Sequence, residues 1–131
     1  MREASCLCGA VRLAISGEMR PIVACHCSQC QRWHGNFGAY ANAPKSAVAF
    51  LADDQLRWYQ SSEKARRGFC AVCGSSLLWE RVGADYVSIA AGALRQPTGL
   101  ALVRHIYVAD KPDWYEITDG LKQQRQVTGS G

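Results

Sequence analysis

Seven cysteines in three short groups stand out from this 131-residue chain: Cys6-Leu7-Cys8, Cys25-His26-Cys27-Ser28-Gln29-Cys30 and Cys70-Ala71-Val72-Cys73. Two thiols separated by one or two residues curl the backbone until both sulfurs face one ion. Such spacing suits tetrahedral zinc, whose thiolate sulfurs lie at about 2.3 Å. Two of the groups end in Cys-Gly, at Cys8-Gly9 and Cys73-Gly74. Glycine accepts the positive φ that turns the chain just past a second ligand. Those two groups therefore read as matched halves of one closed four-cysteine site, the structural type. Cys25, Cys27 and Cys30 are left over. Three ligands around one ion leave a fourth position for water, substrate or another side chain, which is the catalytic pattern. A second closed site remains open as an alternative, completed by His34 or, from between two ligands, by His26. Spacing alone also permits other partitions of the seven.

The elements that must hold these groups are mostly strands. Apolar alternation predicts strands at Val11-Leu13-Ile15, Leu56-Trp58 and Val87-Ile89, and the continuous apolar run Ala47 to Leu51 predicts a more buried one. Val103 to Val108 is a further β-rich run, with weaker signals at Phe37 to Ala43 and Ser76 to Glu80. Helix is expected only in two short pieces: Ser28 to His34, with Ser28 as cap, and Pro112 to Ile117. Turns are expected at Pro44, Asp53-Asp54, Gly83-Ala84-Asp85 and Gly99. The polar end, Lys122-Gln123-Gln124-Arg125-Gln126 closing in Gly129-Ser130-Gly131, is expected to fray. The fold class is thus mainly β: antiparallel strands stapled by zinc.

Length corresponds to one domain, and 48% hydrophobic with 20% charged residues excludes a disordered or fibrous chain. No run of about 18 apolar residues offers a membrane span. Met1-Arg2-Glu3-Ala4-Ser5-Cys6 contains no apolar segment suited to a signal peptide. An odd number of cysteines without an export signal points to reduced thiols and metal ligands in the cytoplasm rather than to disulfides. The net charge of +4 is dispersed over short basic groups such as Arg66-Arg67. That distribution suits a solvated surface favouring small anions and argues against a nucleic-acid partner.

From about Ser5 to Gly120 the chain resembles the glutathione-dependent formaldehyde-activating enzyme family, also called the GFA or centromere-protein-V domain family. The likeness rests on Cys6-Leu7-Cys8-Gly9-Ala10-Val11, on Cys25 through Arg32, on Arg67-Gly68-Phe69-Cys70-Ala71-Val72-Cys73-Gly74-Ser75, on His105-Ile106, and on Lys111-Pro112-Asp113-Trp114. The resemblance implies an Mss4-like β-tent over residues 1–120, followed by the polar tail 121–131. It implies two zinc ions, a structural one on Cys6, Cys8, Cys70 and Cys73 and a second on Cys25, Cys27 and Cys30. The glycine argument divides the cysteines in the same way on independent grounds.

Zinc held by three thiolates carries one net negative charge and is a weaker Lewis acid than zinc on neutral histidines. Its open position suits a soft thiolate better than hydroxide generation. The expected reaction is reversible addition of a thiol, with glutathione as the family's thiol, to formaldehyde or another small aldehyde; its reverse is carbon–sulfur lysis. Arg32 is a candidate partner for a substrate carboxylate, and His105 a candidate proton shuttle. Trp33, Phe37 and Trp114 are candidate walls. Two other readings stand beside this one: a non-catalytic, zinc-stabilised binding module, and chromatin association suggested by one of the family's names.

Overall fold

The structure, a computed structural model, describes residues 1–127. In chain order the strands are β1 (Arg2–Ser5), β2 (Arg12–Ile15), β3 (Arg20–Cys25), β4 (Gly38–Pro44), β5 (Val48–Ala52), β6 (Leu56–Gln60), β7 (Ala65–Cys70), β8 (Ser76–Arg81), β9 (Tyr86–Ala90), β10 (Leu102–Ile106) and β11 (Lys122–Gln123). Among the described residues, one α-helix, α1 (Ser28–His34), follows β3, and three single 3₁₀ turns complete the regular structure. The chain is therefore mainly β. No helix among the described residues is long and apolar enough to cross a membrane.

Two sheets result. A small one has the order β1-β2-β5, and a large one runs β11-β10-β3-β4-β9-β8-β7-β6. Pairing is antiparallel except where β10 lies parallel to β3 and to β11. Leu13 and Ile15 of β2 belong to one buried cluster with Ala41 of β4, Leu78 of β8 and Ile89 of β9. The small sheet thus covers the middle of the large one. Burying each such Leu or Ile side chain stabilises the fold by about 1.5–3 kcal/mol. Cys6 and Cys70 lie in the same cluster, at 5% and 0% exposure. The four-cysteine set is therefore continuous with the core.

Several expectations are corrected. The run expected to be a more buried strand forms β5 at one edge of the small sheet, leaving Phe50 and Leu51 at 44% and 50% exposure. Apolar continuity marked a strand there, but an edge position leaves no layer to cover it. Pro112 to Ile117 holds only a turn instead of a helix, and the Lys111 ammonium donates to the carbonyls of Pro112 and Tyr115. The described part of the polar end, through residue 127, makes contacts with the large sheet. Lys122 and Gln123 pair with Arg104 and His105, the Gln124 N–H donates to the His105 carbonyl, and the Tyr107 hydroxyl donates to the Val127 carbonyl. Gly129-Ser130-Gly131 lies outside the described residues. Strands β1, β3 and β7 were not anticipated. Pro21 interrupts the pattern of β3, and Arg66-Arg67 disguise β7 as a charged surface.

Leu78 is fully buried, and its Cβ lies 3.1 Å from where a side chain on Gly68 would begin, so the site has no slack. Leu78→Ala should cost about 2–5 kcal/mol in denaturant unfolding. Phe50→Ala should change stability by less than about 0.5 kcal/mol. Comparable losses for both variants would contradict the position assigned to the core.

Candidate metal centres

Cys6 and Cys8 lie between β1 and β2, while Cys70 ends β7 and Cys73 follows in the turn to β8. Each loop closes on itself: the Val11 N–H donates to Cys6 Sγ at 3.2 Å, and the Val72 N–H donates to Cys70 Sγ at 3.4 Å. Gly9 and Gly74 have φ of +83° and +78°, the left-handed turn that a side chain would strain. The four sulfurs all lie within 4.8 Å of one another. Cys8 Sγ is 3.7 Å from Cys6 Sγ and 3.8 Å from Cys70 Sγ. Tetrahedral thiolates at about 2.3 Å from an ion are about 3.8 Å apart, so these two spacings match those of a tetrahedral zinc site. None of the seven cysteines forms a disulfide.

The second cluster is built where β3 meets α1. Cys25 ends β3, and the pairing of Cys25 with Ile106 on one side and Gly38 on the other holds that strand end in place. The cap of α1 is Cys27 rather than Ser28: its Sγ accepts the Cys30 N–H at 3.4 Å. Gly35, at φ +94°, closes the helix. Seven residues are too few for an independently stable helix, so these sulfur and glycine contacts define it. Cys25, Cys27 and Cys30 place their sulfurs within 4.8 Å of one another, and no histidine, aspartate or glutamate among the described residues joins them. Packed this closely, the three thiols cannot ionise together. Hydrogen bonding with Cys25 and Cys30 pulls Cys27 well down, while hydrogen bonding with Cys27 and Cys30 drives Cys25 far upward. A bound divalent cation removes that conflict, because coordinating thiols are deprotonated outright. Both clusters can therefore hold a metal ion.

Beside the three sulfurs is a cavity of about 130 Å³, room for about four waters. Its walls include Tyr40, Arg67, Trp79 and Tyr107. The candidate walls Trp33, Phe37 and Trp114 do not line it. Trp33 donates its indole N–H to Ser76 and stacks on Tyr59, Phe37 packs on His26, and Trp114 is 65% exposed. Arg32 is exposed on α1, away from the cavity lining. His34 Nε2 lies 2.6 Å from Tyr40 Oη. Burial lowers His34 to about 4 and pushes Tyr40 up to about 12. The Tyr40 hydroxyl therefore donates to a neutral imidazole. His34 and His26 are both absent from the sulfur cluster.

His105 is buried, with Nε2 2.7 Å from Asp119 Oδ2 and Nδ1 2.8 Å from His26 Nε2. Asp119 also accepts the Leu121 N–H, and its pKa is lowered by that bond and by His105. An ionised Asp119 requires the proton on His105 Nε2, so His105 Nδ1 accepts from His26 Nε2–H. His26 Nδ1 is then a bare, buried acceptor without a hydrogen-bond partner. The line Asp119–His105–His26 runs from the surface to the loop between two candidate ligands.

Arg67 was missed from sequence. It is 3% exposed, with donors 3.4 Å from Tyr40 Oη, 3.4 Å from Gln29 Oε1 and 3.6 Å from Cys30 Sγ. Counting alternate residues back from Cys70 points to Gly68, not Arg67. A register shift at Gly68–Phe69 reverses the parity. Tyr40 was also missed; it shares a strand face with Gly38, where any Cβ would meet Tyr40 and His34 at 2.7–2.8 Å.

Two outcomes follow from this geometry. Elemental analysis should find two zinc ions per chain, and one in Cys27→Ala/Cys30→Ala; two ions retained in that variant would remove the three-cysteine centre. His34 is neutral when folded and binds a proton more readily when unfolded, so its contribution to stability is full above pH 6.5 and lost as pH falls toward 4. His34→Gln should therefore flatten the loss of stability between pH 6.5 and 4, measured by denaturant unfolding with zinc present. An unchanged slope would reject this account.

Residues 1–110 match the family model described as glutathione-dependent formaldehyde-activating enzyme. An uncharacterized lyase of Schizosaccharomyces pombe is 29% identical over 119 residues, covering 89% of this chain and 85% of its own length. A Halomonas elongata protein, named provisionally as a glutathione-dependent formaldehyde-activating enzyme, is 29% identical over 140 residues, covering 97% of this chain and 87% of its own. A crystal structure of a Rhodobacter sphaeroides protein has a similar fold, with a TM-score of 0.59 and 23% identity over 74% of this chain and 91% of that one. A family match across residues 1–110, a mainly β fold of the Mss4-like kind and two cysteine clusters able to hold metal agree with one another. The chain belongs to the glutathione-dependent formaldehyde-activating enzyme family and to its general class of metal-dependent catalysts.

Proposed function

We propose that the three-cysteine centre catalyses reversible addition of a thiol, glutathione by family likeness, to formaldehyde or another small aldehyde. The observation that carries this reading is the trio of sulfurs, joined by no histidine, aspartate, glutamate or further cysteine among the described residues, beside a cavity of about 130 Å³. In the forward direction sulfur bonds to the carbonyl carbon, the carbonyl π pair moves to oxygen, and the thiol proton ends on that oxygen. Run backward, this is carbon–sulfur lysis, a lyase reaction, and the fission-yeast relative is named only as an uncharacterized lyase.

Cys25, Cys27 and Cys30 would hold zinc, which when bound stabilises a thiol in its ionised form at neutral pH. Ionisation alone is a small factor. A free thiol of pKa about 8.5 is a few per cent thiolate at pH 7, so full ionisation raises the reactive fraction by about 30-fold at most, and reduced nucleophilicity takes back part of it. The remaining acceleration must come from holding sulfur and carbonyl in register, the task assigned to the cavity walls. Trp79 and Tyr107 limit the space to a small carbonyl and the end of a thiol, leaving the bulk of a tripeptide outside. The Tyr40 hydroxyl is committed to His34 and stays protonated, while Arg67 supplies a fixed positive charge beside Cys30. Cys6, Cys8, Cys70 and Cys73 take the structural role, because two of them are part of the core.

The test is a matrix of thiols and aldehydes assayed by NMR for S-hydroxyalkyl product, using protein with both metals loaded. Product should form well above the uncatalysed rate, and Cys27→Ala/Cys30→Ala should reduce the excess at least about 100-fold. No turnover with both metals loaded would reject catalysis and leave the zinc-stabilised binding module.

A further inference from the structure

A guanidinium at 3% exposure needs an anion beside it, because arginine stays protonated and an unpaired buried charge is costly. Arg67 has no carboxylate partner among the described residues. Its side-chain acceptors are Tyr40 Oη, Gln29 Oε1 and Cys30 Sγ. Gln29 is neutral, and Tyr40 remains a protonated phenol, so the negative charge facing Arg67 belongs to the sulfur cluster. Three thiolates and a divalent ion leave one negative charge, which the guanidinium cancels. The same side chain also lines the cavity, where low dielectric makes its charge felt by an incoming ligand.

We propose that Arg67 is a positioning residue that acts through Cys30 as the counter-charge of the three-cysteine centre, so that its free face prefers an anionic sulfur ligand to a neutral donor. The inference rests on the reading of that face as open. With Arg67 present an approaching thiolate meets a neutral assembly, and without it a negative one. A neutral ligand of similar reach meets no such difference. The role requires fixed charge and does not involve proton transfer by Arg67.

The experiment uses the full chain loaded with cobalt(II) and follows sulfur-to-cobalt charge-transfer and ligand-field bands during titration with 2-mercaptoethanol and, separately, imidazole. Arg67→Met and Arg67→Gln should weaken thiol binding at least about tenfold while changing imidazole binding less than about threefold. Arg67→Lys, which keeps the charge, should hold the thiol loss below about threefold. Unchanged thiol binding in the neutral variants, or equal weakening of both ligands, overturns the role of Arg67. Wild-type cobalt protein that takes neither ligand overturns the open face itself, so the two failures are distinct. If both neutral variants lose the second cobalt ion, retention of it by Arg67→Lys supports the counter-charge, and its loss there overturns it.

Discussion

Mutual repulsion among closely held thiolates is the constraint on which this structure turns. Cys6, Cys8, Cys70 and Cys73 bring four sulfurs within 4.8 Å, a distance at which ionised groups cannot remain without a cation between them. The loop between β1 and β2 belongs to the small sheet, and that between β7 and β8 to the large one. One ion held there would tie the two sheets at a single point. Burial of Cys6 and Cys70 in the apolar cluster makes that tie part of the core. Metal binding there would be coupled to folding.

The three-cysteine centre answers the same repulsion differently. Its ligands come from one strand end and one short helix, so it fastens no distant parts of the chain. Arg67 comes from β7, whose last residue, Cys70, belongs to the four-cysteine set. The two centres thereby share a strand: its end holds one metal cluster and its middle faces the other.

The division of the cysteines was legible because local backbone geometry governs it. A glycine after the second ligand is needed for the left-handed turn, and both Gly9 and Gly74 adopt it. The helix from Ser28 to His34 was legible for similar local reasons, although its cap came from a sulfur instead of a hydroxyl. Features set by distant pairing were hidden. His105 meets His26 through parallel pairing of β10 with β3, and nothing in their local sequence requires it. Arg67 turns inward because of an irregularity in β7 that reverses the alternation on which strand reading depends. Beyond residue 120, the edge of β10 supplies Lys122, Gln123 and Gln124 with backbone partners that composition alone does not reveal.

Cys27 begins α1 by accepting the Cys30 N–H on its sulfur, and that sulfur is also one of the three donors beside the cavity. An ion placed there would bind the same sulfur that starts the helix, through a lone pair the N–H leaves free. Metal capture and formation of the first helical turn would then be a single event, and the local order of residues 27–30 would record whether the centre is filled.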